Sequence, residues 1–258
     1  MTVHFIGAGP GAADLLTLRA VRLLQESPIC LYAGTYIDDE VLSHCGPETE
    51  LIDTAYLNLD AITATLVAAH EAGHDVARLC SGDPSIYSAI AEQTRRLDAA
   101  GVPWDLTPGV PAYAATAALI GRELTVPEVA QSVALTRAQK DSTKMPPGET
   151  LAAFAATNAT LVLHLAIRHT RRLADELSAH YGANCPVVVG SQVTQPEELI
   201  LRGTLADIAD QVEAAGLTQA AVIIVGWALS AEGFVESHLY SSRPPRPAGE
   251  GRPDASLV

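Results

Sequence analysis

Three glycine-bearing turns are the segments of this sequence best suited to chemistry, because each lies between a predicted strand and a helical segment. They are Gly7-Ala8-Gly9-Pro10-Gly11, Ser81-Gly82-Asp83-Pro84 and Thr107-Pro108-Gly109-Val110-Pro111. Glycine lets a ligand approach the backbone closely, and ligands of open α/β sheets bind beyond the carboxyl ends of the strands. Each turn alone is equally well explained by local structure, since Asp before Pro is also an ordinary helix start. Together they predict a shared floor for a ligand.

The first turn does not fit a nicotinamide dinucleotide site. Its spacing is GxGxG with Pro10 inserted, whereas the dinucleotide fingerprint is GxGxxG. That fingerprint also needs an acidic residue about 20 positions further on, at the end of the second strand. The predicted strand Ile29–Ala33 runs into Gly34, and from the start of this strand the first carboxylate is Asp38, in the loop that follows it. A nucleotide-dependent oxidoreductase is therefore kept only as an alternative.

The charge distribution favours an anionic small molecule over nucleic acid or a membrane as the partner. The net charge of the 258 residues is −14, and both of those polyanionic partners require a positive face. Residues 120–172 nevertheless carry seven basic and four acidic side chains, a local net charge of +3. These cations either bind ligand carboxylates or form solvated helix faces. The substrate-binding candidates, Arg137 first, are Arg122, Arg137, Lys140 and Arg168.

No arrangement typical of a nucleophilic enzyme or a metal enzyme is visible. The four cysteines form no CxxC pair and the eight histidines are scattered, so we predict neither a metal site nor a disulfide framework. We expect His164, at a predicted strand end, to be a buried histidine with satisfied hydrogen bonds. The chain shows no signal-like segment, and its longest apolar run, near residues 220–229, is too short to span a bilayer. We therefore expect a cytoplasmic protein.

Alternating strands and helices position the three turns and predict an α/β fold. We assign residues 1–115 to a first α/β domain, 116–127 to an interdomain segment, 128–241 to a second α/β domain and 242–258 to a loose tail. The predicted strands are Val3–Ile6, Ile29–Ala33, Val76–Cys80, Trp104–Thr107, Ser132–Thr136, Thr160–Leu165, Pro186–Gly190, Leu199–Arg202 and Ala221–Gly226. The predicted helices are Leu15–Leu24 with Asp14 as its N-cap, Leu59–Ala72, Ile86–Ala100, Ala112–Ile120, Glu149–Ala156, Thr170–His180 and Leu205–Ala214.

The three turns, taken in this order, resemble the signature of tetrapyrrole methyltransferases. The matching segments are Val3–Gly11 with Asp14–Thr17, Ser81–Tyr87 and Thr107–Val110, and the resemblance covers about residues 1–240. Such enzymes are class III S-adenosylmethionine (SAM)-dependent methyltransferases. The resemblance implies two α/β domains with mixed, mainly parallel sheets, with SAM in the cleft between them and S-adenosylhomocysteine (SAH) as product.

Two further segments, Tyr32–Tyr36 and Leu124–Val129, resemble the precorrin-4 C11-methyltransferase branch of this family. Uroporphyrinogen-III methyltransferases typically have an Asp after the equivalent tyrosine, with a proposed proton-transfer role, whereas this chain has Ala33. The branch implies methylation of precorrin-4 at C11 to give precorrin-5 in cobalamin (vitamin B12) biosynthesis, or of cobalt-precorrin-4 in the anaerobic route. It also implies a homodimer acting on a tetrapyrrole (corrin) substrate, without nucleic acid or membrane.

Residues of all three turns and of the second domain are carried over by motif as contacts of the cofactor. They are Pro10, Gly11, Gly82, Asp83, Ile86, Tyr87, Pro111, Ala112, Leu165, Gly190 and Ala221. For Leu165 and Ala221, plain core packing explains the residue equally well. No catalytic side chain is singled out, because aligning an electrophilic methyl group with an electron-rich carbon supplies much of the rate.

Other substrates and other classes of function stay open at this point. Relatives in the same family act on ribosomal RNA or on a modified histidine of a translation factor. The net charge of −14 disfavours RNA. A non-catalytic module that retains the nucleotide pocket is a further alternative.

Overall fold

The computed structural model describes residues 1–34, 36–138 and 144–236, which contain two five-stranded sheets, one from each half of the chain. The strands of the first half are β1 (Val3–Gly7), β2 (Ile29–Tyr32), β3 (Glu50–Asp53), β4 (Val76–Cys80) and β5 (Trp104–Thr107). The helices of the first half are α1 (Leu18–Glu26), α2 (Asp39–Leu42), α3 (Leu59–Glu71) and α4 (Ile90–Ala99). The predicted tail, 242–258, lies outside the described residues.

The first sheet is parallel throughout, in the order β3-β2-β4-β1-β5. All five residues of β4 are buried, because α1 and α2 cover one face of the sheet and α3 and α4 cover the other. The three glycine-bearing turns follow β1, β4 and β5, which are adjacent strands. The sheet therefore brings all three turns to the same edge, as the sequence predicted.

The second sheet has the order β6-β7-β10-β8-β9. Its strands are β6 (Val133–Arg137), β7 (Thr160–His164), β8 (Pro186–Ser191), β9 (Leu199–Thr204) and β10 (Ala221–Val225). Its helices are α5 (Ala112–Leu119), α6 (Leu151–Ala155), α7 (Thr170–Tyr181) and α8 (Ile208–Ala214). Although α5 follows the last strand of the first sheet, it packs on the second sheet. Helices α6, α7 and α8 cover the opposite face of that sheet.

The expectation of a mainly parallel sheet is wrong for the second half. Among the described strands of the second sheet, only β6 and β7 pair in parallel, while β10 runs antiparallel to both β7 and β8. Strands β8 and β9 are joined by residues 192–198 without a helix, and so short a connection makes neighbouring strands antiparallel. The division of the chain into domains at 116–127 stays a prediction.

Two predicted helix starts beside the turns are wrong by several residues. Helix α1 begins at Leu18, because the Thr17 side chain caps it by accepting a hydrogen bond from the Ala20 N–H, whereas Asp14 lies in a separate 3-10 turn. Helix α4 begins at Ile90 instead of Ile86, so Pro84 does not open a helix. The left-handed backbone of Tyr87 (φ 54°) interrupts any helix before that point. Within the described ranges, no helix is both long and apolar enough to cross a bilayer.

Candidate functional site

The first two turns are joined by backbone hydrogen bonds. The Gly9 N–H donates to the Gly82 carbonyl at 3.2 Å, and the Gly82 N–H donates to the Gly9 carbonyl at 2.8 Å. The Ala8 N–H also donates to the Cys80 carbonyl at 2.8 Å, which extends the β1–β4 pairing by one residue. Both Gly9 (φ 74°) and Gly82 (φ 67°) have left-handed backbone, which glycine adopts at no steric cost.

The third turn packs directly on the other two. The Gly109 N–H donates to the Asp83 carboxylate at 2.9 Å. A Cβ on Gly109 would lie 2.2 Å from the Gly82 carbonyl oxygen and 2.8 Å from the Gly7 Cα, closer than real Cβ atoms approach backbone. Glycine is therefore required here by close approach, and the three turns form one backbone-packed unit.

Asp83 is the ionised centre of this unit. Burial raises the pKa of its carboxyl, but hydrogen bonds from the Ser85 hydroxyl and from the N–H groups of Gly109 and Ser85 lower it, and the net pKa lies below the ordinary value of 3.8. A carboxylate that accepts several hydrogen bonds is stabilised in its charged form. Asp83 therefore acts as a turn-organising carboxylate at neutral pH.

A cleft with a volume of about 630 Å³ lies between the two sheets, beside the joined turns. Such a volume is within the range of about 300–1,000 Å³ that is usual for small-molecule sites. Seven of the eleven predicted cofactor-binding residues line it: Pro10, Ile86, Tyr87, Ala112, Leu165, Gly190 and Ala221. The other four do not line it: Gly82, Asp83 and Pro111 belong to the second and third turns, and Gly11 packs against Gln195. A contact between any of the eleven and a cofactor stays a prediction.

Strained backbone is concentrated around this cleft. Four non-glycine lining residues have left-handed φ angles: Tyr87 (54°), Leu165 (52°), Gln192 (45°) and Ala220 (51°). Such conformations cost of order 1–3 kcal/mol each and cluster at binding sites. Leu165 is 54% exposed, so core packing, the other explanation considered for this residue, does not apply.

The charge of the cleft is positive although the protein is acidic. Among the described lining residues there is no carboxylate, whereas the guanidinium groups of Arg78 and Arg168 are present. Arg78 is buried, and its hydrogen-bond partners among the described residues are neutral: the Thr54 hydroxyl at 3.1 Å and the Gln93 side-chain oxygen at 3.4 Å. A buried cation without a carboxylate partner is expensive unless a ligand supplies the negative charge. The cleft is thus suited to an anionic ligand.

The predicted substrate-binding cations are not all brought to this cleft. Arg168 lines it, and its side chain also donates to the Thr218 carbonyl at 2.8 Å. Arg137 lies at the end of β6. Burial raises the pKa of the Tyr87 phenol and the positive charge of Arg137 lowers it, so Arg137 lies close to this part of the cleft wall. Arg122 instead donates to the Ala231 carbonyl at 3.2 Å, away from the lining residues. Lys140 lies outside the described residues.

His164, at the end of β7, lines the cleft and departs from the expectation of a satisfied buried histidine. Its Nε2 atom is buried and has no hydrogen-bond partner in the described structure. The rings of Tyr87 and Tyr113 pack against the imidazole, with centroid separations of 5.4 and 6.3 Å. Burial lowers the pKa of His164 below its ordinary value of 6.5. The strand-end position of His164 was the sequence signal that placed it beside the cleft, although we expected its hydrogen bonds to be satisfied.

The loop between β8 and β9, residues 192–198, connects the second sheet to the first turn. The Thr194 hydroxyl accepts a hydrogen bond from the Ala12 N–H at 2.9 Å, and the Gln195 amide donates to the Pro10 carbonyl at 3.2 Å. A Cβ on Gly11 would lie 2.3 Å from Gln195 Cγ, so Gly11 leaves room for this contact. Sequence reasoning missed this loop, because a short polar segment after a strand has no distinguishing pattern.

Fold and site together define a two-lobed α/β protein with a small-molecule cleft at the carboxyl ends of a parallel sheet. The chain belongs to the family of Tetrapyrrole (Corrin/Porphyrin) Methylases, whose model matches residues 2–209. This match confirms the family that the three turns predicted, and with it the assignment to methyltransferases.

Individual relatives agree with this assignment. A precorrin-4 C(11)-methyltransferase from Rhodococcus erythropolis is 56% identical over 242 residues, which are 94% of this chain and 97% of the relative. The X-ray structure of a cobalt-precorrin-4 methyltransferase, a cobalamin biosynthetic enzyme, has a TM-score of 0.86 at 35% identity and covers 89% of this chain and 96% of its own. A uroporphyrin-III C-methyl transferase from Thermus thermophilus, complexed with S-adenosylhomocysteine, has a TM-score of 0.74 at 27% identity and covers 89% and 94%. The predicted two-sheet fold class is confirmed.

Proposed function

We propose that this chain is a SAM-dependent methyltransferase that methylates precorrin-4 at C11, giving precorrin-5 in cobalamin biosynthesis. The observation that carries the proposal is the joining of the three turns into one unit beside a positively charged cleft. The 56% identity to a precorrin-4 C(11)-methyltransferase supports this substrate over cobalt-precorrin-4, since the cobalt-precorrin-4 enzyme is 35% identical.

The cleft fits SAM in size and in the character of its walls. When bound, SAM supplies an electrophilic methyl group on a sulfonium. Backbone groups beside Pro10, Leu165 and Gly190 would hold it, with Ile86 and Ala112 as apolar contacts. These residues would orient the donor and exclude water, and alignment of two reactants can lower a barrier by about 7–11 kcal/mol.

The substrate is a polycarboxylate, and the cations of the cleft would bind its acidic side chains. Arg78 would meet one carboxylate at the floor of the cleft, while Arg168 and Arg137 would bind others nearer its edge. Arginine suits this role because its planar guanidinium binds a carboxylate through two parallel hydrogen bonds.

An assay of methyl transfer tests the proposal directly. The purified chain is incubated with precorrin-4 and methyl-labelled SAM, and the label is followed into a tetrapyrrole product whose methylated carbon is read by NMR. Label at C11 is expected. Transfer to cobalt-precorrin-4 at a higher kcat/KM would overturn the choice of substrate, and absence of transfer to both would overturn the proposed reaction.

A binding assay separates the proposed cofactor from the dinucleotides of the alternative oxidoreductase. SAH is expected to raise the thermal midpoint of unfolding, since a ligand that binds only the folded state stabilises it. NAD or NADP at the same concentration is expected to leave it unchanged. The homodimer and the cytoplasmic location stay predictions; sedimentation velocity tests the first.

A further inference from the structure

The His164 side chain has a buried ring nitrogen, Nε2, without a hydrogen-bond partner among the described residues. A buried polar atom left without a partner costs about 1–3 kcal/mol, so such atoms are rare and call for an explanation. His164 stands at the carboxyl end of β7, within the cleft lining, and Nε2 is the atom without a described partner. Retaining such a group beside a binding cleft is reasonable if it meets a ligand there.

Proton balance in the proposed reaction supplies a role. The donor begins as a sulfonium cation and ends as a neutral thioether, so methylation leaves the positive charge on the tetrapyrrole until a proton is released. The described lining residues contain no carboxylate that could accept this proton. Arg78 and Arg168 remain protonated, and burial raises the pKa of the Cys80 thiol to about 11. The imidazoles of His164 and His169 are the bases of suitable strength among them.

We propose that the Nε2 atom of His164 accepts the proton that the tetrapyrrole loses on methylation. The step rests on the proposed function. The substrate carbon forms a bond to the methyl carbon of the donor, the bond from that carbon to sulfur breaks with its electron pair left on sulfur, and a ring N–H of the substrate gives its proton to Nε2. In this role the imidazole carries its own proton on Nδ1 before the reaction, which leaves the lone pair of Nε2 free.

The surroundings of the imidazole suit temporary storage of a proton. Burial lowers the pKa of His164, so the ring is neutral and able to accept a proton at neutral pH. The rings of Tyr87 and Tyr113 touch the imidazole, Arg137 lies opposite His164 in the β6–β7 register, and β10 has no titratable residue. Arg168 and His169 line the same cleft, and the carboxylate of Glu149 is close enough to raise the pKa of Tyr87. Burial destabilises the imidazolium, which favours release of the proton to solvent once the product leaves.

Access to Nε2 depends on Tyr87. The atom is shielded in the present arrangement, with the two tyrosine rings against the imidazole. Tyr87 is the more exposed of the two, at 46%, and its backbone is left-handed. Its ring must turn aside for the substrate to reach Nε2.

The test compares His164→Gln, which keeps a hydrogen-bonding side chain but cannot accept a proton, with His169→Gln, the other histidine of the cleft. Single-turnover methyl transfer to precorrin-4 is measured from pH 5 to 9. For the wild type, the rate should rise with pH through a pKa below 6.5 and then level off. His164→Gln should lose this rising limb and react about 10²–10⁴-fold more slowly, the range usual for general-base catalysis.

Two measurements are independent of turnover. Affinity for SAH, by calorimetry, should stay within about twofold in His164→Gln, which also shows that the variant folds. With ¹⁵N-histidine labelling of the SAH-bound wild type, the resonance absent from His164→Gln should report a neutral imidazole at pH 7 with its proton on Nδ1.

Each outcome decides something. A charged His164 at pH 7, an intact rising limb in His164→Gln, or the same loss in His169→Gln would overturn the assignment while leaving the proposed function standing. A wild-type protein that transfers no methyl group to precorrin-4 would instead refute the proposed function and this step with it. Loss of the limb in His164→Gln alone, with SAH affinity kept, supports the assignment.

Discussion

Replacing Gly109 by alanine adds one methyl group at the point where the three turns meet. The added Cβ would lie 2.2 Å from the Gly82 carbonyl oxygen, whereas real Cβ atoms essentially never lie within 3.0 Å of another atom, so the backbone itself must move. The neighbours are the Cα and carbonyl carbon of Gly7, at 2.8 and 2.9 Å, which have no flexible side chain that could give way. The substitution therefore separates the third turn from the other two.

The magnitude follows from the cost of forcing an extra methyl group into a packed site, about 1–3 kcal/mol. For a protein of this size each kcal/mol lowers the thermal midpoint by about 2–4 °C, so a fall of about 2–12 °C is expected. The same displacement strains the hydrogen bond from the Gly109 N–H to Asp83 and shifts the edge of the cleft. We expect the affinity for SAH to fall about tenfold, which corresponds to 1.4 kcal/mol.

Thermal unfolding and calorimetry with SAH measure the two effects, and Gly148→Ala is the matched control. A Cβ on Gly148 would meet nothing within 4 Å, so that variant should keep the stability and SAH affinity of the wild type or gain slightly in stability. Wild-type stability together with wild-type SAH affinity in Gly109→Ala would refute the reasoning, because the turns would then be separable without consequence.

Four further predictions concern three side chains. Asp83→Ala should weaken SAH binding, since it removes the acceptor for the Gly109 N–H, while Asp83→Asn should retain part of the affinity. Calorimetry measures both, and equal SAH affinity in the wild type and the two variants would contradict the turn-organising role of Asp83. Because the folded pKa of Asp83 is depressed, its contribution to stability is present above the ordinary value of 3.8 and is lost as the pH falls through the lower folded pKa; acid unfolding curves of wild type and Asp83→Asn should converge there. Arg137→Ala should weaken tetrapyrrole binding and leave SAH affinity nearly unchanged, with the surface variant Arg22→Ala as control, and equal losses for both ligands would count against it. Leu165→Gly should relieve left-handed strain of about 1–2 kcal/mol yet weaken SAH binding, and an unchanged affinity would remove Leu165 from the site.

The turns and the strands that carry them were predictable because their physical cause is local. Strands β1 and β4 are buried on both faces and so appear as short apolar runs, each followed within two residues by a glycine of its turn. The predicted bounds agree with the structure within one residue. Parallel pairing then places the three turns at one edge without any further information.

The start of α4 and the direction of the second sheet could not be predicted in this way. Tyr87 and Ala89 adopt left-handed backbone that their residue types disfavour, so only tertiary contacts can hold them there. The apolar pattern of a buried strand is the same for either direction, so nothing in β10 indicates that it runs between β7 and β8. Strand β3 was missed because it lies at a sheet edge and is mostly exposed, with no apolar run to mark it.

The positive charge of the site was predictable from the sequence, but only some of the side chains that supply it were. A count of charges over residues 120–172 cannot say which side chains point into the cleft, and Arg122 turns instead toward the Ala231 carbonyl. Arg78 was overlooked because it lies within the apolar run of β4, where it resembles an interruption of the core. Its partners, Thr54 and Gln93, come from distant parts of the chain, so only the folded structure shows that it has neutral partners and a place in the cleft wall.

Among the described residues, the loop between β8 and β9 reaches the first turn of the other lobe through two side-chain hydrogen bonds. One hydroxyl, on Thr194, and one amide, on Gln195, span the gap to the backbone of the first turn. Each of these two bonds contributes about 0.5–1.5 kcal/mol, so breaking them costs little. A substitution at Thr194, which does not line the cleft, would consequently alter how fast a bulky macrocycle enters and leaves without removing a lining group, whereas Gln195 is itself part of the lining. This loop is the place where an engineer could adjust residence time separately from chemistry.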